Sequence, residues 1–345
     1  MTLVSVDRPG SGRASPLVDA LDTLDLLARV AWVPDRPAPA AVPRPEAQFD
    51  LDAHIPPSRV VDGIRIRFGP VHTVFVTAVL ERTPTRGDQE RFAGALATIE
   101  AHHPWSPAGV FLHVGYGLPY FRRLPRGLFD LYVPRPLTDT RRFALAEPVP
   151  AGGDDVLLTL RSDDPARLAD VVAWLGGGAG LAVTSARVMF AQPGLPRRVA
   201  TWLGEPYAGL VNPQAAGWLG DEHPEPAPAR AVTFAGSGLT TAARGDYFDA
   251  GTVQRLAHVA VDPRRFADQA DFTERVRHLF RTAGRAGPEV PPHQRIEGPG
   301  LGPAVHRAIL APTADLAAVV AGGVPGQTFL IPPLRHRALP LVELA

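Results

Sequence analysis

The chain contains no cysteine. Disulfides, thiolate nucleophiles, cysteine-ligated zinc and iron–sulfur clusters are excluded with it. Lysine is absent too: all 35 basic side chains are arginine. That removes Schiff-base chemistry and the lysine of a phosphate-cradling P-loop. The 35 acidic residues balance the basic ones to a formal charge of zero. The usual electrostatic pull toward nucleic acid or an anionic membrane is therefore missing. No apolar run reaches the length of a bilayer-spanning helix. Residues 1–15 hold neither an apolar stretch of signal-peptide length nor a twin-arginine string. No H-E-x-x-H, G-x-S-x-G or G-x-G-x-x-G string supports hydrolase or dinucleotide chemistry. These absences predict a cytoplasmic protein without nucleic-acid or membrane partners.

What is present is an ordinary globular composition, 45% hydrophobic and 20% charged, over 345 residues. That length suits two domains better than one. Segment 16–33 places Leu17, Leu21, Leu24, Leu27 and Val30 at helical spacing. The proline-rich stretch 34–45 predicts a linker. Next come a β-branched strand at 72–81, a helix at 85–102 and a strand at 109–117. A strand at 155–162 follows, then a helix at 165–175 with Asp163 or Asp164 as its cap, then a strand at 180–191. The order β-α-β-β-α-β is ferredoxin-like. GGGAG at 176–180 follows a helix, so it predicts a helix stop and not a phosphate cradle.

After a long Gly/Pro-rich stretch the pattern restarts. A strand is predicted at 250–262, a helix over 263–282, a strand at 305–313, a short helix around Asp315 to Val320, and an extended segment at 328–334. The expected fold is α+β, with two ferredoxin-like units of the dimeric α/β-barrel type and facing antiparallel sheets. The expected division is a helix and linker over 1–64, a first unit over 65–192, a loop region over 193–249 and a second unit over 250–345.

Several strings carry a resemblance. They are GVFLHVGYGLPYFRRL (109–124), DVLLTLRSDDPARLADVVAWL (155–175), GTVQRLAHVAVD (251–262), HQRIEGPG (293–300) and QTFLIPP (327–333). Together they resemble the dye-decolourising peroxidase superfamily. The resemblance implies b-type haem held between the two units. His293 would be the axial ligand, and it stands with Arg295 and Pro299 in an H-x-R-x-x-x-P pattern. The family's distal G-x-x-D-G motif resembles FAGSG at 234–238, where Gly238 is kept and Ser237 replaces the aspartate. A hydroxyl hydrogen-bonds but does not serve as a carboxylate base near neutral pH. Arg307 is the arginine nearest the position of the family's distal arginine.

Other histidines have milder readings. His258, in a strand of alternating character, is a candidate distal base, but a satisfied core or surface role is the commoner fate of such a residue. His102 and His103 suit a helix C-terminus. Asp221, Glu222 and His223 have ligand-type side chains in a segment that reads more readily as a solvated loop. The function implied is oxidation of a small organic substrate with hydrogen peroxide or a related oxidant. The alternative is a haem-binding or haem-free relative acting as carrier, sensor or interaction partner. Oligomeric state, including a homo-oligomer, is left open.

Overall fold

A computed structural model describes residues 2–3, 15–31, 33, 35–36, 42–51, 53–55, 59–61, 64–66, 70–124, 153–176, 180–190, 247–248, 250–261 and 320–340. The elements in chain order are β1 (Thr2–Leu3), α1 (Pro16–Val30), β2 (Arg59–Val61), β3 (Ile64–Ile66), β4 (His72–Leu80) and α2 (Arg86–His102). They continue with β5 (Phe111–Gly117), α3 (Leu118–Arg123), β6 (Val156–Ser162), α4 (Pro165–Gly176), β7 (Leu181–Phe190), β8 (Thr252–Val261) and β9 (Val320–Ile331).

Seven strands form one sheet in the order β1-β7-β4-β6-β5-β9-β8, and its named pairings are antiparallel. The four central strands β7-β4-β6-β5, connected through α2 and α4, reproduce the ferredoxin-like unit. Helix α2 starts where its sequence says it should. Thr85 Oγ1 accepts from Asp88 N–H at 3.3 Å, and the Asp88 carboxylate accepts from Thr85 N–H at 2.8 Å, a complete capping box. Asp164 is the residue that caps α4, accepting from Ala166 N–H at 2.9 Å. Gly180, just before β7, has φ of +69°, a conformation that favours glycine.

The second unit departs from expectation. Its described strands β8 and β9 extend the first unit's sheet beyond β5, and Val320 opens β9 instead of ending a helix. The tertiary ladder overrides the weak helical pattern there. The other elements expected in 263–319, and with them the arrangement of facing sheets, lie outside the described residues. The β8–β9 register shifts between Leu256 and His258, which pair with Gln327 and Val324. The extra residue therefore belongs to β9, beside Pro325 and Gly326, where a donor is missing.

Helices α1, α2 and α4 contribute Leu24, Leu96 and Val172 to the main core, against Val74, Leu112, Leu158 and Val188 of the sheet. Residues 334–340 are fastened to this body by buried polar groups. Tyr116 Oη donates to the Arg337 carbonyl at 2.5 Å and accepts from Leu339 N–H at 2.6 Å. Tyr120 Oη donates to the Pro340 carbonyl at 3.1 Å, and Gln89 Nε2 donates to the Leu339 carbonyl at 3.0 Å. These bonds hold Leu339 at φ of +42°.

The guanidinium of Arg337 makes two 2.5 Å bonds to the buried Glu100 carboxylate, which also pairs with Arg44 from the proline-rich stretch. Arg36, from the same stretch, pairs with Asp163. Arginines at both ends of the predicted linker thus tie its described residues to the fold. Glu100→Gln should destabilise the fold by about 3 kcal/mol, because it leaves the buried Arg337 without its counter-charge. Guanidinium chloride unfolding measures this. A loss under about 0.5 kcal/mol would equate the cluster with a surface pair.

Candidate functional site

Alternation along the strands gives the sheet two different faces. One faces the helices. The other carries the apolar cluster Phe75, Leu157, Met189, Leu256, Phe329 and Ile331, and a second cluster of Leu51, Trp105 and Phe111. Polar side chains sit between the two. His113 of β5 lies directly opposite Thr159 of β6, and Arg161 lies opposite Phe111. On the neighbouring strand, Thr159 faces Phe75 and Arg161 faces Thr73.

This group is short of hydrogen bonds. His113 is 0% exposed and Thr159 is 2% exposed. Both ring nitrogens of His113, the Thr159 hydroxyl and the indole N–H of Trp105 have no partner. Each buried unsatisfied group costs about 1–3 kcal/mol, and native proteins hold few of them. Burial lowers the pKa of the His113 imidazole well below its ordinary value, and Arg161 and Arg337 push it the same way. The neutral ring can donate through one nitrogen and accept or ligate through the other. Burial lowers the pKa of the Arg161 guanidinium as well.

Aromatic rings frame the group. Phe49 meets the His113 ring edge-on at 4.7 Å between centroids, and Trp105 lies 5.5 Å from His113 and 5.2 Å from Phe111. Phe49 is held there by its neighbour. The Gln48 amide accepts from Val114 N–H at 2.8 Å and donates to the Val114 carbonyl at 3.1 Å and the Pro332 carbonyl at 2.8 Å. It occupies the place of a strand peptide on the edge of β5 that β9 leaves unpaired.

His72, also 0% exposed, is a second buried imidazole with neither nitrogen bonded. It begins β4, away from the first group. Burial lowers its pKa, while Asp163 and Asp164 pull it up. Asp163 is itself engaged by Val71 N–H at 2.9 Å and by Arg36. Among the described residues, no three His, Cys, Asp or Glu side chains gather to hold a metal ion. None of the described helices is long and apolar enough to cross a membrane.

Of the residues singled out in the sequence, Ser237, Gly238, His293, Arg295 and Arg307 lie outside the described residues, as do Asp221, Glu222 and His223. The backbone of His258 pairs with Val324 in β8, at the far edge of the sheet from β7. His102 acts at the end of α2, its Nδ1 lying 2.9 Å from the Thr98 carbonyl. Reasoning from the sequence missed His113, Thr159, Arg161 and Trp105. The available signal was polar residues recurring at period two, Thr73 and Thr77 in β4 and Thr159 and Arg161 in β6, within strands that otherwise read as continuously buried.

Residues 70–185, about a third of the chain, match a family of unknown function, DUF7405. No curated protein matches. Among solved structures, the DyP-type peroxidase from Cellulomonas bogoriensis is 17% identical with a TM-score of 0.44, over 78% of this chain and 93% of that one. A dye-decolorizing peroxidase from Bacteroides thetaiotaomicron is 13% identical with a TM-score of 0.46, over 83% and 98%. A DypB variant from Rhodococcus jostii RHA1 in complex with heme is 13% identical with a TM-score of 0.42, over 77% and 94%.

The buried imidazoles set a pH dependence. In the unfolded chain His113 and His72 take up protons below their ordinary value of 6.5, whereas the folded chain keeps them neutral further down. The unfolded state then binds more protons, so stability is full above pH 6.5 and is lost as pH falls below it. His113→Phe should flatten this decline by up to about 1.4 kcal/mol per pH unit. Urea unfolding from pH 7 to pH 4.5 checks it; an unchanged slope would mean that His113 is protonated in the fold.

Proposed function

We propose that this chain is a haem-binding, peroxidase-like oxidoreductase with altered distal chemistry. It acts with hydrogen peroxide or a related oxidant on a small organic substrate. One observation carries the reading. HQRIEGPG at 293–300 supplies an H-x-R-x-x-x-P pattern, and the strand–helix blocks that accompany it in the resemblance run from 109 to 333. The blocks at 109–124 and 155–175 fold as the ferredoxin-like unit which that resemblance implied.

The chemistry of the described sheet face fits such a group. A porphyrin is flat and apolar and bears carboxylates. The face offers an apolar patch from Phe75 to Ile331 and, beside it, donors and a cation without partners at Trp105, Thr159 and Arg161. When bound, haem supplies the redox-active iron. In this reading, His293 holds it through one neutral imidazole nitrogen, and Arg295 and Gly238 line the binding site. Ser237 offers a hydroxyl that orients a proton donor but holds no negative charge at neutral pH. Arg307 supplies positive charge for a leaving oxygen, and His258 is the reserve base.

Serine at the aspartate position also favours a second reading. In it the chain binds haem, or has lost it, without turnover, and serves as a carrier, sensor or interaction partner. Absorption of protein titrated with haem separates the two from a haem-free role. A Soret band should form with the unmodified protein and be lost in His293→Ala with the circular dichroism unchanged. A normal Soret band in that variant would reject His293 as ligand. Dye turnover should be weak, and Ser237→Asp should raise peroxide reactivity by about 10²-fold or more, the ordinary value of acid–base assistance. Full dye turnover by the unmodified protein would reject the impaired distal site, and no gain in Ser237→Asp would reject Ser237 as its cause.

A further inference from the structure

We propose that His113, Thr159, Arg161 and Trp105 together bind the carboxylate of an organic ligand on the face of the sheet turned away from the helices. Nothing in the haem-ligand assignment of His293 requires this, although Trp105, Thr159 and Arg161 are shared with the face that fits haem in that reading.

The argument begins with satisfaction. Four polar atoms without partners, two on His113, one on Thr159 and one on Trp105, lie within one neighbourhood defined by the His113–Thr159 strand pair and the 5.5 Å Trp105–His113 ring contact. Scattered orphans would be isolated packing defects. Orphans gathered beside a cation that makes no ion pair among the described residues describe a missing partner. Their inventory gives its chemistry. Trp105 only donates, Arg161 only donates and is charged, Thr159 can donate, and neutral His113 donates through one nitrogen. A donor-rich, positively charged group matches an oxygen anion, and the planar guanidinium fork matches a carboxylate in particular. The flanking rings of Phe49, Trp105 and Phe111, and the apolar patch around Leu157, suit an aromatic or aliphatic body attached to it.

Two sources carry such a carboxylate: a free organic acid, or the side-chain carboxylates of haem. Isothermal titration of the full-length, haem-free protein with benzoate, and with neutral benzamide as control, tests the group. Benzoate should bind one to one and benzamide should not. Arg161→Gln should weaken benzoate by about tenfold or more, as loss of a charge-assisted bond implies. Thr159→Val, which keeps shape and removes the hydroxyl, should weaken it less and guards against a folding defect in the first variant. A parallel haem titration followed at the Soret band separates the sources. If Arg161→Gln leaves haem affinity unchanged, the ligand is a free acid. If it weakens haem about as much as benzoate, and haem displaces benzoate, the carboxylate is haem's own. Both results support the site, and neither depends on peroxidase activity or on His293. The proposal is overturned if benzoate and haem affinities are unchanged in folded Arg161→Gln and Thr159→Val. It is also overturned if benzamide binds as well as benzoate.

Discussion

The Gln48 amide is the contact on which the face of the sheet turned away from the helices depends. Strand β9 pairs with β5 only at Tyr116 and Gly117, so the peptide of Val114 would otherwise be an unpaired edge. A side-chain amide has the same donor and acceptor as a backbone peptide, and Gln48 uses both on Val114 while reaching Pro332 with a third bond. It thereby joins three distant pieces of chain: residues 46–51, β5 and the exit of β9. The adjacent bond from Leu334 N–H to the Glu46 carbonyl at 2.7 Å continues the same seam. Phe49 is delivered onto His113 as a consequence, and the imidazole is sealed from water without being given a partner.

The two faces of the sheet are built to different rules. Toward the helices, Val74, Leu112, Leu158 and Val188 interlock with apolar helix residues, and Tyr116 and Tyr120 enter this layer bonded, with His72 at the start of β4 the unbonded exception. Toward the other side, Thr77 is bonded to Thr184 and Ser185, whereas His113, Thr159 and the indole of Trp105 are left without partners. A core is stabilised by close packing and full satisfaction. A ligand-binding surface instead keeps donors unsatisfied until something arrives. The gathering of His113, Thr159 and Trp105 without partners in one neighbourhood is the physical ground for placing function on the second face.

Much of the fold was legible in the residues. Strands β4 to β7 and helices α1, α2 and α4 follow from β-branched runs, helical spacing at Leu17 to Leu27, and the Thr85 and Asp164 caps, all of which are local signals. The site was less legible. His113 sits in GVFLHVGYG, a string whose apolar residues point to a buried strand. Nothing local says that the imidazole would face Thr159 across the sheet or be covered by Phe49, sixty-four positions earlier in the chain. Arg161 carried no weight in a sequence where every cation is arginine. The joining of β8 and β9 to β5 is likewise a pairing choice that strand propensity leaves undetermined.

The buried hydroxyl of Tyr116 also has a bearing on how the chain acquires its structure. Its acceptor and donor are the Arg337 carbonyl and the Leu339 N–H, more than two hundred positions away. The ferredoxin-like unit can collapse around its own hydrophobic residues as soon as β7 is made, but Tyr116 then waits for partners still to come, and Glu100 for the second of its two arginines. Contacts of such high sequence separation slow folding, because loop closure must precede their reward. During synthesis the half-formed unit would pass through an interval with the β5 edge bare at Tyr116 and Gly117. An unpaired strand edge is a template for the wrong neighbour, so this interval is when the chain is most open to aggregation.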